Sequence, residues 1–213
     1  PLRIPRASER IEPPLVDLYV EGGVRTHPDR PACEAQAIAD EIEAILKDER
    51  FAGRTIGVVS LLGTDQAKHI DSVVNQRCDA AELHRRKFLC GDARTFQGSE
   101  RHIMFLSLVV DSTSCKALSG NMFDQRFNVA ASRAQDRMYL VRSVTASDLS
   151  DKDLRMTLLS HFDKPLVMNT EETARLIDLC ESGFEQQVYT ELSTRGYRVI
   201  PQVKTGAYRI DMV

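Results

Sequence analysis

Residues 55–70 read TIGVVSLLGTDQAKHI. The first half is a continuous apolar run of strand length, the pattern of a strand buried on both faces. The second half opens on Thr64 and Asp65, either of which suits a helix cap, and runs to residue 77 with Ala67, Ile70, Val73 and Val74 along one side. Parallel strands need a crossover connection, and crossover helices cover the sheet they connect. A doubly buried strand running straight into an amphipathic helix is therefore one unit of a parallel α/β sheet.

The same alternation extends in both directions. Upstream, LVDLYV (15–20) reads as a short strand, and Ala35, Ile38, Ile42, Ile45 and Leu46 follow helical spacing from Glu34 onward. Downstream come the strands KFLCG (87–91) and HIMFLSLVV (102–110), a helix over DQRFNVAASRAQ (124–135), the strand RMYLVRSV (137–144) and a closing helix over DKDLRMTLLSHF (151–162). This predicts an α/β fold with a mainly parallel sheet and helices on both faces. Residues 1–14 read as an extended connector, since six of the eight prolines fall within residues 1–31. Residues 163–180 read as a junction, helical in part over 171–180. Residues 181–213 then give a helix, a glycine stop and two strands in hairpin relation, a second unit that stops in mid-pattern.

Composition narrows the function. The net charge is -3, so nucleic acid would have to be met by a local patch and not by a global basic field. Cys33, Cys78, Cys90, Cys115 and Cys180 are odd in number and include no CxxC pair, which argues against a disulfide framework or a zinc site and for a reduced, cytoplasmic setting. No apolar run approaches the roughly 20 residues of a membrane span. The start at Pro1 and the stop within YRIDMV suggest a piece of a longer polypeptide.

Two stretches place chemistry beside the sheet. Gln97, Gly98 and Glu100 occupy a polar turn joined to a buried strand, and open parallel sheets bind ligands at such edges. Gly98 permits a tight turn or a close backbone approach; an ordinary surface turn is the alternative. Arg133 lies in a helix-like run of small residues leading into a strand, where a guanidinium can present planar donors to phosphate oxygens. Its alternative is an ion pair with Asp124 or Asp136. The basic run HRRK (84–87) could meet phosphates or simply form a solvated face. His69 and His102 have no partner at metal-ligand spacing.

In order along the chain, TIGVVSLLGTDQAKHI, GDARTFQGSERHIMFLSLV (91–109) and FNVAASRAQDRMYLV (127–141) resemble motifs IV, V and VI of superfamily 1 helicases, in the branch of the Upf1-like and Dna2-like enzymes. The resemblance implies that residues 15–162 are the second RecA-like, P-loop-NTPase-type domain of such a motor. PLRIPRASER resembles the connector that follows the first. Arg133 is then the arginine finger, Glu100 a ribose contact or coupling residue, and Gln97 and Gly98 the shapers of its loop. Ser60 and Gln66 fall in motif IV. Asn128 and Ser132 fall in motif VI, to orient the finger or touch nucleic acid, with Ser132 where the family often has Thr. ATP and Mg²⁺ are the implied cofactors. The sequence has neither a GKT phosphate loop nor an Asp-Glu magnesium pair. Both belong to the first RecA-like domain in this family, so ATP hydrolysis is expected of the full-length protein and not of this chain alone. The implied partners are that domain and single-stranded or duplex DNA, with RNA open and no membrane.

Residues 181–213 carry a second resemblance. ESGFEQQVYTELSTRGYRVIPQVKTGAYRIDMV is similar to the opening of a very-short-patch-repair-like PD-(D/E)xK nuclease domain, a restriction-endonuclease-like α/β unit found behind bacterial helicases of this kind. Glu185 and Asp211 match its Mg²⁺-binding carboxylates, while the downstream lysine motif is absent. The alternative is a plain helix and hairpin in which Glu185 is solvated and Asp211 pairs with Arg209 or Lys204. The expected protein is a bacterial ATP-dependent DNA helicase fused to a nuclease. Its rivals are a restriction or repair endonuclease with an accessory motor, and a catalytically inactive RecA-like binding module.

Overall fold

The computed structural model describes residues 11–21, 32–61, 63–111, 118, 121–151, 153–163, 176–195, 199–205 and 208–212. They fall into a larger unit within residues 10–165 and a smaller one within 166–213. Residues 1–10 of the expected connector and most of the 163–180 junction lie outside the described residues.

The larger unit is built on strands β1 (Leu15–Tyr19), β2 (Ile56–Ser60), β3 (Leu89–Asp92), β4 (Arg101–Asp111) and β5 (Ala134–Ser143). They form a five-stranded sheet in the order β1-β5-β4-β2-β3, with every pairing parallel. Helices α1 (Ala32–Lys47), α2 (Thr64–Arg77) and α3 (Ala80–Arg85) precede β3, and α4 (Asn121–Ala131) and α5 (Leu154–Asp163) follow β4 and β5. β4 shows why the strands read as unbroken apolar runs. Ile103 and Phe105 pack with Ile38, Ile42 and Ile70 of α1 and α2, whereas Met104, Leu106 and Leu108 pack on the other face with Ala130, Leu159 and Phe162 of α4 and α5. Both sets are essentially inaccessible. Each such side chain contributes about 1.5–3 kcal/mol of burial, so both sheet faces are core. Gly57 sits where β2 leaves no room, because a Cβ there would meet Met104 Sδ at 2.5 Å and Phe96 at 2.8 Å.

Three local expectations change. Helix α2 begins at Thr64, with Gly63 at the cap position and no side-chain cap hydrogen bond, so neither Thr64 nor Asp65 caps it. Helix α4 ends at Ala131 and β5 begins at Ala134, so Arg133 stands in the link between them and not within a helix. Residues 80–85 form a short helix, capped by Asp79 accepting from the Glu82 N–H, where the sequence suggested only a basic run. Within that run Arg86 is buried, donating to Glu82 and to the Phe51 carbonyl, and Arg85 pairs with Glu82. His84 and Lys87 remain exposed.

The smaller unit holds α6 (Gly183–Thr194) and an antiparallel hairpin of β6 (Pro201–Thr205) and β7 (Tyr208–Met212). Cys180, Tyr189 and Val199 form its small core. The expected glycine stop, Gly196, lies outside the described residues.

Candidate functional site

The two sequence elements singled out beside the sheet meet at one place. Glu100 immediately precedes β4 and Arg133 immediately precedes β5, and these strands are neighbours. The Arg101 N–H donates to the Arg133 carbonyl at 3.0 Å. Arg101 pairs with Ala134 but Ile103 with Arg137, so β5 carries an extra residue at this point. Such a bulge bends the strand and re-aims its side chains. Gln135, inside the bulge, donates to Glu100 Oε2 at 3.0 Å and so fixes the carboxylate beside the Arg133 link. The turn before β4 is closed by Gln97 N–H to Arg94 O and Ser99 N–H to Phe96 O. Gly98 there has φ +78, a left-handed conformation that favours glycine. Gln97 and Gly98 are both exposed.

Arg133 is half-buried, and its guanidinium is oriented from below. Nε donates to the Val129 carbonyl at 3.1 Å, and Nη2 donates to Ser132 Oγ at 2.8 Å. Ser132 Oγ in turn donates to the same carbonyl at 3.1 Å, which leaves its lone pairs to accept from the arginine. These contacts place the cation at the carbonyl end of α4, where the helix dipole favours positive charge. Neither carboxylate considered from sequence neutralises it: Asp136 pairs with Arg54 at 3.0 Å, and among the described residues no ion pair involves Arg133. A guanidinium with oriented donors and no counter-charge is arranged to receive an anion. Asn128 lies a turn earlier, exposed on the rim of a mostly apolar groove between α4 and α5 lined by Leu106, Phe127, Leu154 and Leu158.

Ser60 and Gln66 are not part of this cluster. They lie at the carboxyl end of β2 and the start of α2, across the sheet from Arg133, and both are buried. Glu100 and Arg133 precede their neighbouring strands and so share one sheet edge, as expected for them, here the amino edge, whereas Ser60 ends its strand. The carboxyl edge has its own polar knot. Glu34 of α1, fully buried, accepts from Ser107 Oγ of β4 at 2.5 Å and Ser143 Oγ of β5 at 2.9 Å, and Gln66 Nε2 donates to Ser107 Oγ at 3.4 Å. Sequence reasoning missed these residues. Their signal was present, since Glu34 falls on the same helical stripe as Ile38, Ile42 and Ile45, and Ser107 interrupts an apolar strand. Beside the knot, a polar pocket is lined by Ser60, Thr64, Asp92, Arg94 and Arg126.

In the smaller unit, Ser182 caps α6 by accepting from the Glu185 N–H at 3.2 Å, and Glu185 stands in the first turn. Its carboxylate accepts from Ser182 Oγ at 2.9 Å, the Glu181 N–H at 3.0 Å and Gln202 Nε2 at 3.1 Å. The Glu181 N–H bond, with Ser182 and then Gln202, holds this carboxyl below the usual glutamate range. Asp211 is exposed on β7. Among the described residues no group of three or more His, Cys, Asp or Glu could hold a metal ion, and no helix is long and apolar enough to cross a membrane. Cys33, Cys78, Cys90 and Cys180 are free thiols, and burial pushes that of Cys90 far up.

A family model described as an AAA domain covers residues 26–145, more than half of the 213-residue chain. No curated protein sequence matches. The matched span runs from the segment before α1 through β5 and contains both the Glu100 turn and Arg133. With an all-parallel sheet covered on both faces beneath it, the chain belongs to the AAA-domain family, as a superfamily 1 helicase-like domain of the P-loop NTPase type.

Proposed function

We propose that this chain is the second RecA-like half of an ATP-dependent nucleic-acid motor, and that Arg133 is its arginine finger. The observation that carries the reading is the oriented, uncompensated Arg133 guanidinium beside Glu100 on the amino edge of β4 and β5. ATP, bound in a cleft completed by a first RecA-like domain with its phosphate loop and Mg²⁺-holding acidic pair, supplies the γ-phosphoryl group. From this side, the Arg133 donors meet the phosphate oxygens on which charge develops during transfer. Ser132 and the Val129 carbonyl keep the fork aimed, so little reorganisation is needed as the cleft closes. Glu100 Oε2 is held by Gln135, which presents the carboxylate toward ribose hydroxyls or toward the partner domain. The exposed turn of Gln97 and Gly98 leads into Glu100 and shapes its loop. Nucleic acid is the proposed second ligand, with Asn128 on α4 and the Ser60, Thr64, Arg94 and Arg126 pocket supplying polar and cationic contacts. Gln66, behind that pocket, acts by fixing Ser107 and the end of β4.

The full-length protein is expected to hydrolyse ATP at a rate stimulated by single-stranded DNA, measured as phosphate release across a DNA titration. Hydrolysis indifferent to both DNA and RNA would remove the motor and favour a RecA-like binding module.

The smaller unit is proposed, on its helix-and-hairpin succession, to open a nuclease domain of the PD-(D/E)xK kind. Glu185, held by Ser182 and the Glu181 N–H, and Asp211 belong to no metal-holding group among the described residues, so no cleavage step is drawn through them. Glu185→Gln with Asp211→Asn in the full-length protein is expected to abolish Mg²⁺-dependent DNA cleavage and to leave ATP turnover at the parent rate. Cleavage that survives both changes assigns the two carboxylates to structure.

A further inference from the structure

Arg137 is 8% exposed, yet among the described residues it forms no ion pair. Its guanidinium lies against two aromatic faces, 5.1 Å from the Phe51 centroid and 5.7 Å from that of Tyr139. Nη1 donates to the Tyr139 hydroxyl at 3.1 Å, Nη2 donates to the Glu12 carbonyl at 2.6 Å, and Nε has no partner. Carboxylate charge reaches it at a distance, from Asp48, and a buried cation with no contact ion pair is costly unless aromatic faces and acceptors compensate it. What the compensation holds in place is the chain just upstream of β1. The next residue along β5 repeats the fastening, since the Met138 N–H donates to the Pro14 carbonyl at 2.8 Å. Pairing of β1 with β5 then runs from Leu15 opposite Met138. Arg133 stands at the amino end of this same strand.

We infer that Arg137 is a positioning residue that clamps the connector onto the amino end of β5, so that the strand presenting Arg133 also sets where the connector leaves the domain. The inference rests on the proposed reading of the connector as the link to a first RecA-like domain. Cleft closure then swings about a point fixed to the strand that carries the finger. With the clamp released, Arg133 keeps its own contacts to Ser132 and Val129 but arrives displaced at the closed cleft. Loss of alignment lowers turnover and leaves nucleotide binding alone.

Arg137→Met in the full-length protein keeps an unbranched stem between Phe51 and Tyr139 and removes the donors. The expected result is a kcat for ATP hydrolysis lower by about 10- to 100-fold with KM for ATP unchanged. Amide hydrogen exchange at Met138 and along β1 is expected to quicken by about tenfold or more while Phe105 in β4 keeps its protection. Replacing Glu12-Pro13 by Gly-Gly leaves Arg137 and the core untouched and loosens the backbone that carries the acceptor. It is expected to reproduce the kcat loss, and it decides the matter if Arg137→Met does not fold. A parent kcat in the Gly-Gly variant overturns the clamp, as does an Arg137→Met protein whose exchange at Met138 is unchanged. If the parent protein hydrolyses no ATP, the motor reading fails, and exchange at Met138 still decides whether the clamp exists.

Discussion

Arg133→Ala in the full-length protein is expected to lower kcat for ATP hydrolysis by about 10³- to 10⁵-fold, the range found for arginine fingers, with ATP affinity changed far less. The reason is geometric. The guanidinium is already oriented through Nε and Nη2 by the Val129 carbonyl and Ser132 Oγ and, among the described residues, pairs with no carboxylate, so the proposed finger would turn its remaining Nη donors to the charge that appears in the transition state. Arg133→Lys is expected to recover little, because an ammonium offers a point charge where the link presents a planar fork. Folding is expected to survive. The substitution removes hydrogen bonds to the carbonyl end of α4 and a favourable charge at the helix terminus, worth about 0.5–1.5 kcal/mol. Single-turnover ATPase measured beside thermal unfolding of the same variants separates the two roles. A folded protein with crippled turnover marks a finger, whereas a large drop in melting temperature with turnover intact would make Arg133 a helix cap.

The fold was legible from TIGVVSLL because a strand buried on both faces cannot alternate, and alternating apolar strands and amphipathic helices admit few architectures besides a covered parallel sheet. Boundaries were less legible. The run FNVAASRAQ has helical propensity throughout, yet β5 recruits Ala134 and Gln135 through pairing with β4, a tertiary effect that propensity does not contain. The same competition moved Arg133 from a helix to a link. The site was legible as residues but not as a shape. Which edge they occupy follows from strand direction, and the polar turn comes before β4 while Ser60 comes at the end of β2. Glu34, Ser107 and Ser143 escaped because each taken singly is an unremarkable polar residue, and only the pairing of β4 with β5 brings the two hydroxyls to one carboxylate. Arg137 escaped for a related reason: its acceptor is the Glu12 carbonyl, which has no side-chain signature.

The largest stability effect is expected at Asp153. With Arg155 it forms an ion pair in which both side chains are 1% exposed, Nε to Oδ1 at 2.9 Å and Nη2 to Oδ2 at 2.5 Å. Asp153 Oδ1 also accepts the Arg155 N–H at 3.0 Å, which ties the pair to the first turn of α5. Removing one partner leaves the other charge buried, so Asp153→Ala is expected to destabilise the domain by about 3–5 kcal/mol, a large part of the roughly 5–15 kcal/mol that holds a domain together. Replacing both partners by apolar residues is expected to cost less than either single change, since neither charge of the pair then remains buried. The pair also predicts an acid dependence. Burial works to raise the Asp153 carboxyl, but the Arg155 side chain and N–H prevail and hold it below its ordinary value of 3.8. A carboxyl depressed in the folded state binds protons more readily in the unfolded chain, so its stabilisation is complete above that ordinary value and fades as the pH falls below it. Urea unfolding followed from neutral pH into this acid window is expected to show a loss of stability in the parent protein that is smaller in Asp153→Asn, which has no carboxyl to titrate. Equal acid sensitivity in the two proteins would move the effect to other carboxylates and leave Asp153 a helix cap whose charge does not matter.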